Sequence, residues 1–260
     1  MIGIIGGSGL YEMEGFITKD IKNVATPFGS PSDFYRLGRI SGRDVIFLPR
    51  HGAKHTVPPH RINYRANVWG FRELGAERIL SISATGGINP ELSPGTIVVP
   101  DQIIDATSGR DATFFEGEEG VFPVDLTEPY CLELRESLFA SGEKAGIGLV
   151  KSGTYICTNG PRLETRAEIR FFSQMGADIV GMTAMPEASL AREAGLCYAG
   201  ISVVTNHAAG LKEEKLTATE VIEVMGKTIL RLKILLKEVF DLIPHERGCA
   251  CKDALREAKI

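Results

Sequence analysis

The chain has 260 residues, is 43% hydrophobic and carries a formal net charge of −4. That length sustains a sizeable core without staples, and the acidic balance offers no positive field to nucleic acid or anionic lipid. No run approaches the roughly 18 apolar residues of a membrane span, and the opening Met1-Ile2-Gly3-Ile4-Ile5 lacks the basic segment of a secretion signal. The expectation is a cytoplasmic protein that engages neither membrane nor nucleic acid.

In chain order, Ile2–Ile5 is a short apolar run closed by glycines, followed by buried-strand candidates at Val45–Leu48 and Ile79–Ile82. Ile97–Val99, Tyr155–Cys157, Ile179–Gly181 and Tyr198–Val204 continue the series. Helical patterns fall at about 62–74, 130–145, 165–175, 185–194 and 217–242. The last opens with a capping box, Thr217-x-x-Glu220. Val221, Met225, Ile229, Leu232, Leu236 and Val239 then recur at helical spacing until Pro244. Strands interleaved with helices predict an α/β fold, a twisted mixed sheet flanked by helices in one domain over residues 1–243, with a polar tail over 244–260. Residues 106–129 form the longest irregular segment, the kind of loop that often closes over a site.

Several strand ends carry anion-binding chemistry. Gly6-Gly7-Ser8-Gly9 can aim backbone N–H groups and a hydroxyl at an anion, although it lacks the spacing of a dinucleotide fingerprint. Arg50-His51-Gly52-x-x-His55 places cation-capable side chains beside a flexible glycine, with the arginine fork suited to phosphate oxygens. Ser83-Ala84-Thr85-Gly86-Gly87 reads as a second strand-to-glycine turn, and Met182-Thr183 puts a hydroxyl after a third strand. Ligands gather outside the carboxyl ends of strands in such sheets, so these segments can converge on one oxyanion. In Val203-Val204-Thr205-Asn206-His207-Ala208-Ala209-Gly210, an apolar run delivers Asn206 to a pocket rim, where a neutral amide both donates and accepts.

Five cysteines do not make a secreted disulfide framework. Cys131, Cys157 and Cys197 lie in apolar surroundings and read as small buried hydrophobes. Cys249-Ala250-Cys251 reads as an exposed tail pair, either free or joined as a disulfide. Half of a metal site is discounted, because no second Cys/His pair at zinc spacing accompanies it.

Together these segments resemble the family that joins 5′-methylthioadenosine phosphorylases with the trimeric purine nucleoside phosphorylases. The resemblance rests on Gly6-Gly7-Ser8-Gly9, Thr26-Pro27-Phe28-Gly29-x-Pro31-Ser32, Arg50-His51-Gly52, Asn63-Tyr64-Arg65-Ala66-Asn67 and Gly160-Pro161-Arg162. It continues through Thr165-Arg166-Ala167-Glu168, Gly181-Met182-Thr183-x-Met185-Pro186-Glu187 and Val204-Thr205-Asn206. It implies reversible phosphorolysis of a purine nucleoside by a homotrimer or a pair of trimers, with phosphate as co-substrate and no cofactor or metal. By position, Ser8, Arg50, His51, Ser83, Ala84 and Thr183 would hold phosphate, Met182 would lie against ribose, and His55 matches a further pocket histidine. Leu163, Glu164, Asn206, His207 and Ala208 would surround the base, and Ala218, Val221 and Ile222 the 5′ end.

The base pair of residues departs from the methylthioadenosine branch, which the resemblance gives an aspartate at Asn206 and a serine at Glu164; the inosine and guanosine branch has Asn and Glu. Asn206 can donate to O6 or N7 of a 6-oxopurine while ionised Glu164 accepts from N1–H. Adenine would set an unprotonated N1 against that carboxylate. Glu164 also sits where a helix begins, so a capping acid is an alternative role. Leu163 replaces a phenylalanine common in the family, and Ala218 stands near a position where 5′-hydroxyl-selective members often carry histidine. A 5′-methylthio group is therefore tolerated or preferred. The alternatives are a methylthioadenosine phosphorylase acting on 6-aminopurine nucleosides, a nucleotide-binding oxidoreductase and a silent ligand sensor; the intact phosphate set argues against the last two.

Overall fold

A computed structural model describes residues 1–7, 16–117, 120–212, 218–256 and 258. Four parallel strands build the centre: β1 (Ile2–Gly6) lies between β4 (Arg43–Pro49) and β5 (Arg78–Gly87), and β11 (Cys197–His207) pairs with the other edge of β5. Their side chains alternate between two cores. Ile2, Ile4, Leu80 and Ile82 enter one, and Ile5, Ile46, Leu48 and Ile79 the other, as the two-residue period of a strand requires.

On one flank β3 (Tyr35–Ile40) and β2 (Ile17–Lys22) extend the sheet antiparallel from β4. On the other, β10 (Ile179–Gly181) runs antiparallel to β5 and leads through β9 (Thr154–Cys157) to β7 (Gln102–Asp105). The short β6 (Ile97–Val98) and β8 (Leu149–Val150) branch from β11, giving an eleven-stranded mixed sheet. Five helices cover it: α1 (Tyr64–Glu73), α2 (Leu132–Ala145), α3 (Arg166–Gln174), α4 (Ala184–Glu193) and α5 (Ala218–Leu242). Leu232, Leu235, Leu236, Val239 and Phe240 bury the inner stripe of α5 in the first core. No helix among the described residues is long and apolar enough to cross a membrane.

The predicted helices appear within two residues of their expected ends, although Thr217 of the expected capping box lies outside the described residues. Three sequence expectations need correction. Gly86 and Gly87 do not form a turn; β5 runs straight through them and pairs with β11 on one side and β10 on the other. They are glycines because neighbours press close. A Cβ on Gly87 would lie 2.9 Å from the Leu92 carbonyl oxygen, and one on Gly86 would lie 3.2 Å from Val180. β2 lacks the half-buried alternation that marks a strand, since all six of its residues, Ile17 and Ile21 included, are exposed at the sheet edge.

The carboxyl-terminal segment folds back on the body. Arg247 donates to the Gly195 carbonyl at 2.8 Å, and the Gly248 amide donates to Glu133 at 2.7 Å. Cys251 is consequently 5% exposed, so the cysteine pair is not the free surface pair expected from its polar neighbours. The long segment from 106 is pinned between α1 and α4: Arg110 donates to the Thr158 and Asn159 carbonyls, Arg65 pairs with Asp111 at 2.7 Å, and Phe114 is buried. None of its described residues lines the cavity at the strand ends.

Candidate active site

Five strands end in one cavity of about 890 Å³. β1 contributes Gly7, β4 contributes Arg50 and His51, and β5 contributes Ile82 to Gly86. Residues 180–183 follow from β10, and Thr205, Asn206, Ala208 and Ala209 from the end of β11. Val221, Ile222, Met225, Gly226 and Ile229 of α5 close an apolar side. Of the residues expected in the site, Arg50, His51, His55, Ser83, Ala84, Leu163, Glu164, Met182, Thr183, Asn206, Ala208, Val221 and Ile222 all line this cavity. Ser8 and the side chain of Ala218 lie outside the described residues. His207 is not among the lining residues: one step beyond Asn206, strand alternation turns it away.

Asn206 is aimed by a bulge. Val204 pairs with Thr85 and Asn206 with Gly86, so Thr205 is an extra residue in β11. The amide is then held from both sides, with Nδ2 donating to the His207 carbonyl at 3.0 Å and Oδ1 accepting from Thr205 Oγ1 at 2.9 Å. A carbonyl can only accept, so the first bond sets which way the amide faces. One N–H and one oxygen lone pair remain beyond these two bonds.

Glu164 is free of capping duty. Thr165 caps α3, and its reciprocal partner is Glu168, whose carboxylate accepts from the Thr165 amide at 2.7 Å. Glu164 precedes the cap and, among the described residues, accepts one hydrogen bond, from Thr158 Oγ1 at 2.8 Å. The competing helix-terminus reading of this acid therefore falls to its neighbours.

Arg50 differs from the open fork its sequence suggests. It is 2% exposed and lies bidentate on Glu187, with Nε donating to Oε1 at 2.8 Å and Nη2 to Oε2 at 3.0 Å. Nη2 also donates to Ser81 Oγ at 2.7 Å, and Nη1 to the Ile82 carbonyl at 2.8 Å. One Nη1 hydrogen is left without a partner among the described residues. Burial works against the guanidinium charge, but the Glu187 carboxylate outweighs it and holds the pKa above the ordinary arginine value. Glu187, fully buried, also accepts from Ser81 Oγ at 3.0 Å and Tyr198 Oη at 3.1 Å. The sequence gives Glu187 no role, and only its complete burial at the start of α4 reveals one. Met225 and Ile229, part of the apolar stripe of α5, pack against the first core and also line the cavity.

His51 is a pinned neutral imidazole. Nδ1 lies 2.8 Å from the Val57 carbonyl and must donate to it, which leaves Nε2 as an acceptor. Burial, helped by the Arg50 charge beside it, pushes the ring down to about 4. The folded chain thus refuses a proton that the unfolded chain takes at about 6.5. Stability contributed by this group is present above about pH 6.5 and falls as pH drops toward 4. In phosphate-free buffer, His51→Gln should flatten that stretch of a denaturant-midpoint-against-pH curve; an unchanged slope would refute the neutral assignment. His55, its ring tilted 32° against that of His51 with centroids 4.5 Å apart, adopts a left-handed backbone with φ of 52°, a conformation histidine tolerates better than most residues.

A sheet of this topology, with its strand ends gathered round one cavity, defines a nucleoside phosphorylase fold. The family described as the phosphorylase superfamily matches residues 1–241. The chain is 51% identical over 259 residues to a probable S-methyl-5′-thioinosine phosphorylase of Thermodesulfovibrio yellowstonii, covering 100% of this chain and 97% of that one. It is 48% identical to the 6-oxopurine nucleoside phosphorylase of Pyrococcus furiosus, covering 99% and 98% of the two chains. Methylthioadenosine phosphorylase from Schistosoma mansoni in complex with adenine superposes with a TM-score of 0.94 at 35% identity, covering 99% and 98%. The chain belongs to the phosphorylase superfamily, in the family of purine nucleoside and methylthioadenosine phosphorylases.

Proposed function

We propose that this enzyme cleaves the N-glycosidic bond of 6-oxopurine nucleosides with phosphate, reversibly. Inosine, guanosine and 5′-methylthioinosine give the purine base and ribose 1-phosphate or its 5-methylthio analogue. The observation that carries the reading is Asn206: a neutral amide, oriented by Thr205 and the His207 carbonyl, sharing one cavity with a Glu164 carboxylate that caps nothing.

In this mechanism Asn206 directs its remaining N–H at N7 or O6 of the base, and Glu164 accepts from N1–H. Phosphate occupies the end of the cavity lined by Ser83, the Ala84 backbone, Thr183, Gly7 and Arg50, whose last Nη1 hydrogen is available to it. The C1′–N9 bond breaks ahead of attack, its electron pair passing to the purine while ribose becomes oxocarbenium-like. A phosphate oxygen then forms the new bond to C1′ on the opposite face, with inversion. Asn206 stabilises the charge gathering on the purine, so its hydrogen bond strengthens in the transition state. Neutral His51 offers Nε2 to a phosphate hydroxyl rather than to an oxyanion. Phosphate is the co-substrate, and the steps call on no cofactor or covalent enzyme intermediate.

Val221, Ile222, Met225 and Ile229 supply an apolar side with no hydrogen-bonding group for a 5′-hydroxyl, which suits a 5′-methylthio substituent. The test is base release from inosine, guanosine, 5′-methylthioinosine, adenosine and 5′-methylthioadenosine, each with and without phosphate. Phosphate-dependent cleavage favouring the 6-oxopurines by at least about a hundredfold in kcat/KM is expected. Faster cleavage of the adenine compounds would overturn the base-pocket assignment.

A further inference from the structure

We propose that Cys131, Cys197, Cys249 and Cys251 form a binding site for one tetrahedral soft metal ion, zinc, that fastens the carboxyl-terminal segment to the body of the enzyme. None of the four lines the nucleoside cavity. They come from three separate places: Cys131 stands at the N-cap position of α2, Cys197 opens β11, and Cys249 precedes and Cys251 lies within the 3-10 turn at residues 250–253. Only the packed tail unites them, which is why no zinc spacing is visible along the chain.

All four Sγ atoms lie within 4.8 Å of one another, and all four cysteines are free thiols. A tetrahedral zinc with Zn–S near 2.3 Å has sulfur–sulfur edges of about 3.8 Å, which this quartet can meet with small shifts. The arrangement is not two pairs. Cys197 Sγ approaches Cys249 Sγ at 3.2 Å while the Cys131 and Cys251 sulfurs stay within 4.8 Å of both, so the sulfurs converge on a common centre. Thiolates select zinc over hard cations. Arg192 Nη1 donates to Cys251 Sγ at 3.8 Å, placing a positive charge beside sulfurs that would carry a net negative charge around the ion. Cys131, Cys197 and Cys251 are buried with the first hydrophobic core, and Cys249 packs against it, which shields the centre as structural sites require.

The full-length protein, purified without reductant and without added metal, is analysed by elemental mass spectrometry and native mass spectrometry. The expected result is one zinc per chain, replaceable by cobalt with a thiolate-to-cobalt charge-transfer absorption. Cys249→Ser and Cys197→Ser each remove the zinc. Cys249→Ser also lowers Tm by more than about 5 °C while leaving phosphorolysis at ambient temperature unchanged. A metal-free chain lighter by four hydrogens, holding two disulfides, would overturn the proposal. So would five free thiols with no cobalt uptake, or zinc retained in both variants.

Discussion

Replacing Asn206 with aspartate should lower kcat/KM for inosine by roughly 10²–10³-fold, the loss typical of one transition-state donor. The same change should improve adenosine relative to inosine by at least about tenfold, because a protonated aspartate can donate to N7 and accept from the 6-amino group. The geometry explains the size of the effect. Thr205 Oγ1 donates to Oδ1 and Nδ2 spends one hydrogen on the His207 carbonyl, so only the second N–H can serve the base. An aspartate keeps the first bond, loses the second and sets two carbonyl-type oxygens side by side. Glu164 would still oppose adenine, so the switch stays partial unless Glu164→Ser is added. Steady-state kinetics on both nucleosides decide the matter, and an unchanged inosine-to-adenosine ratio would remove Asn206 from base recognition.

Glu187→Ala should destabilise the fold by about 3–5 kcal/mol, because it strands a buried guanidinium whose charge was matched by two hydrogen bonds. For a chain of this size that corresponds to a Tm fall on the order of 10 °C. Ser81 and Tyr198, which also donate to this carboxylate, would lose their acceptor. Glu187→Gln retains an acceptor and the shape of the pair, so it should cost less stability. Both variants should raise KM for phosphate by about tenfold or more, since Arg50 no longer holds its remaining Nη1 hydrogen in place. Thermal denaturation and phosphate titrations check this; a Tm shift under about 2 °C would show that the pair contributes little.

These two residues mark the division between what is local and what is not. The strands and helices around Ile2–Ile5, Tyr198–Val204 and residues 218–242 are legible because apolar period and end signals are properties of neighbouring residues. So are the hydroxyls, histidines and amide that follow strand ends, because strand ends in such sheets point to one rim. The roles of Arg50 and Glu187 are not legible, since the partners stand 137 residues apart and meet only when β4 and α4 pack on the same sheet. Gly86 and Gly87 look like a turn in isolation, and only the crowding by Leu92 and Val180 shows that they are strand. The thiols of Cys131, Cys197, Cys249 and Cys251 separate in the same way: the chain supplies four sulfurs, and the folded tail gathers them. By itself the sequence determined the fold class, the strand ends that meet at the cavity and the amide and carboxylate that line it. The tertiary structure alone decided that Arg50 is matched by Glu187, that Glu164 is relieved of capping by Thr165 and Glu168, and that the bulge at Thr205 turns Asn206 inward. Each of these depends on contacts between elements, where burial and unpaired hydrogen-bonding groups decide the outcome and local propensity has no say.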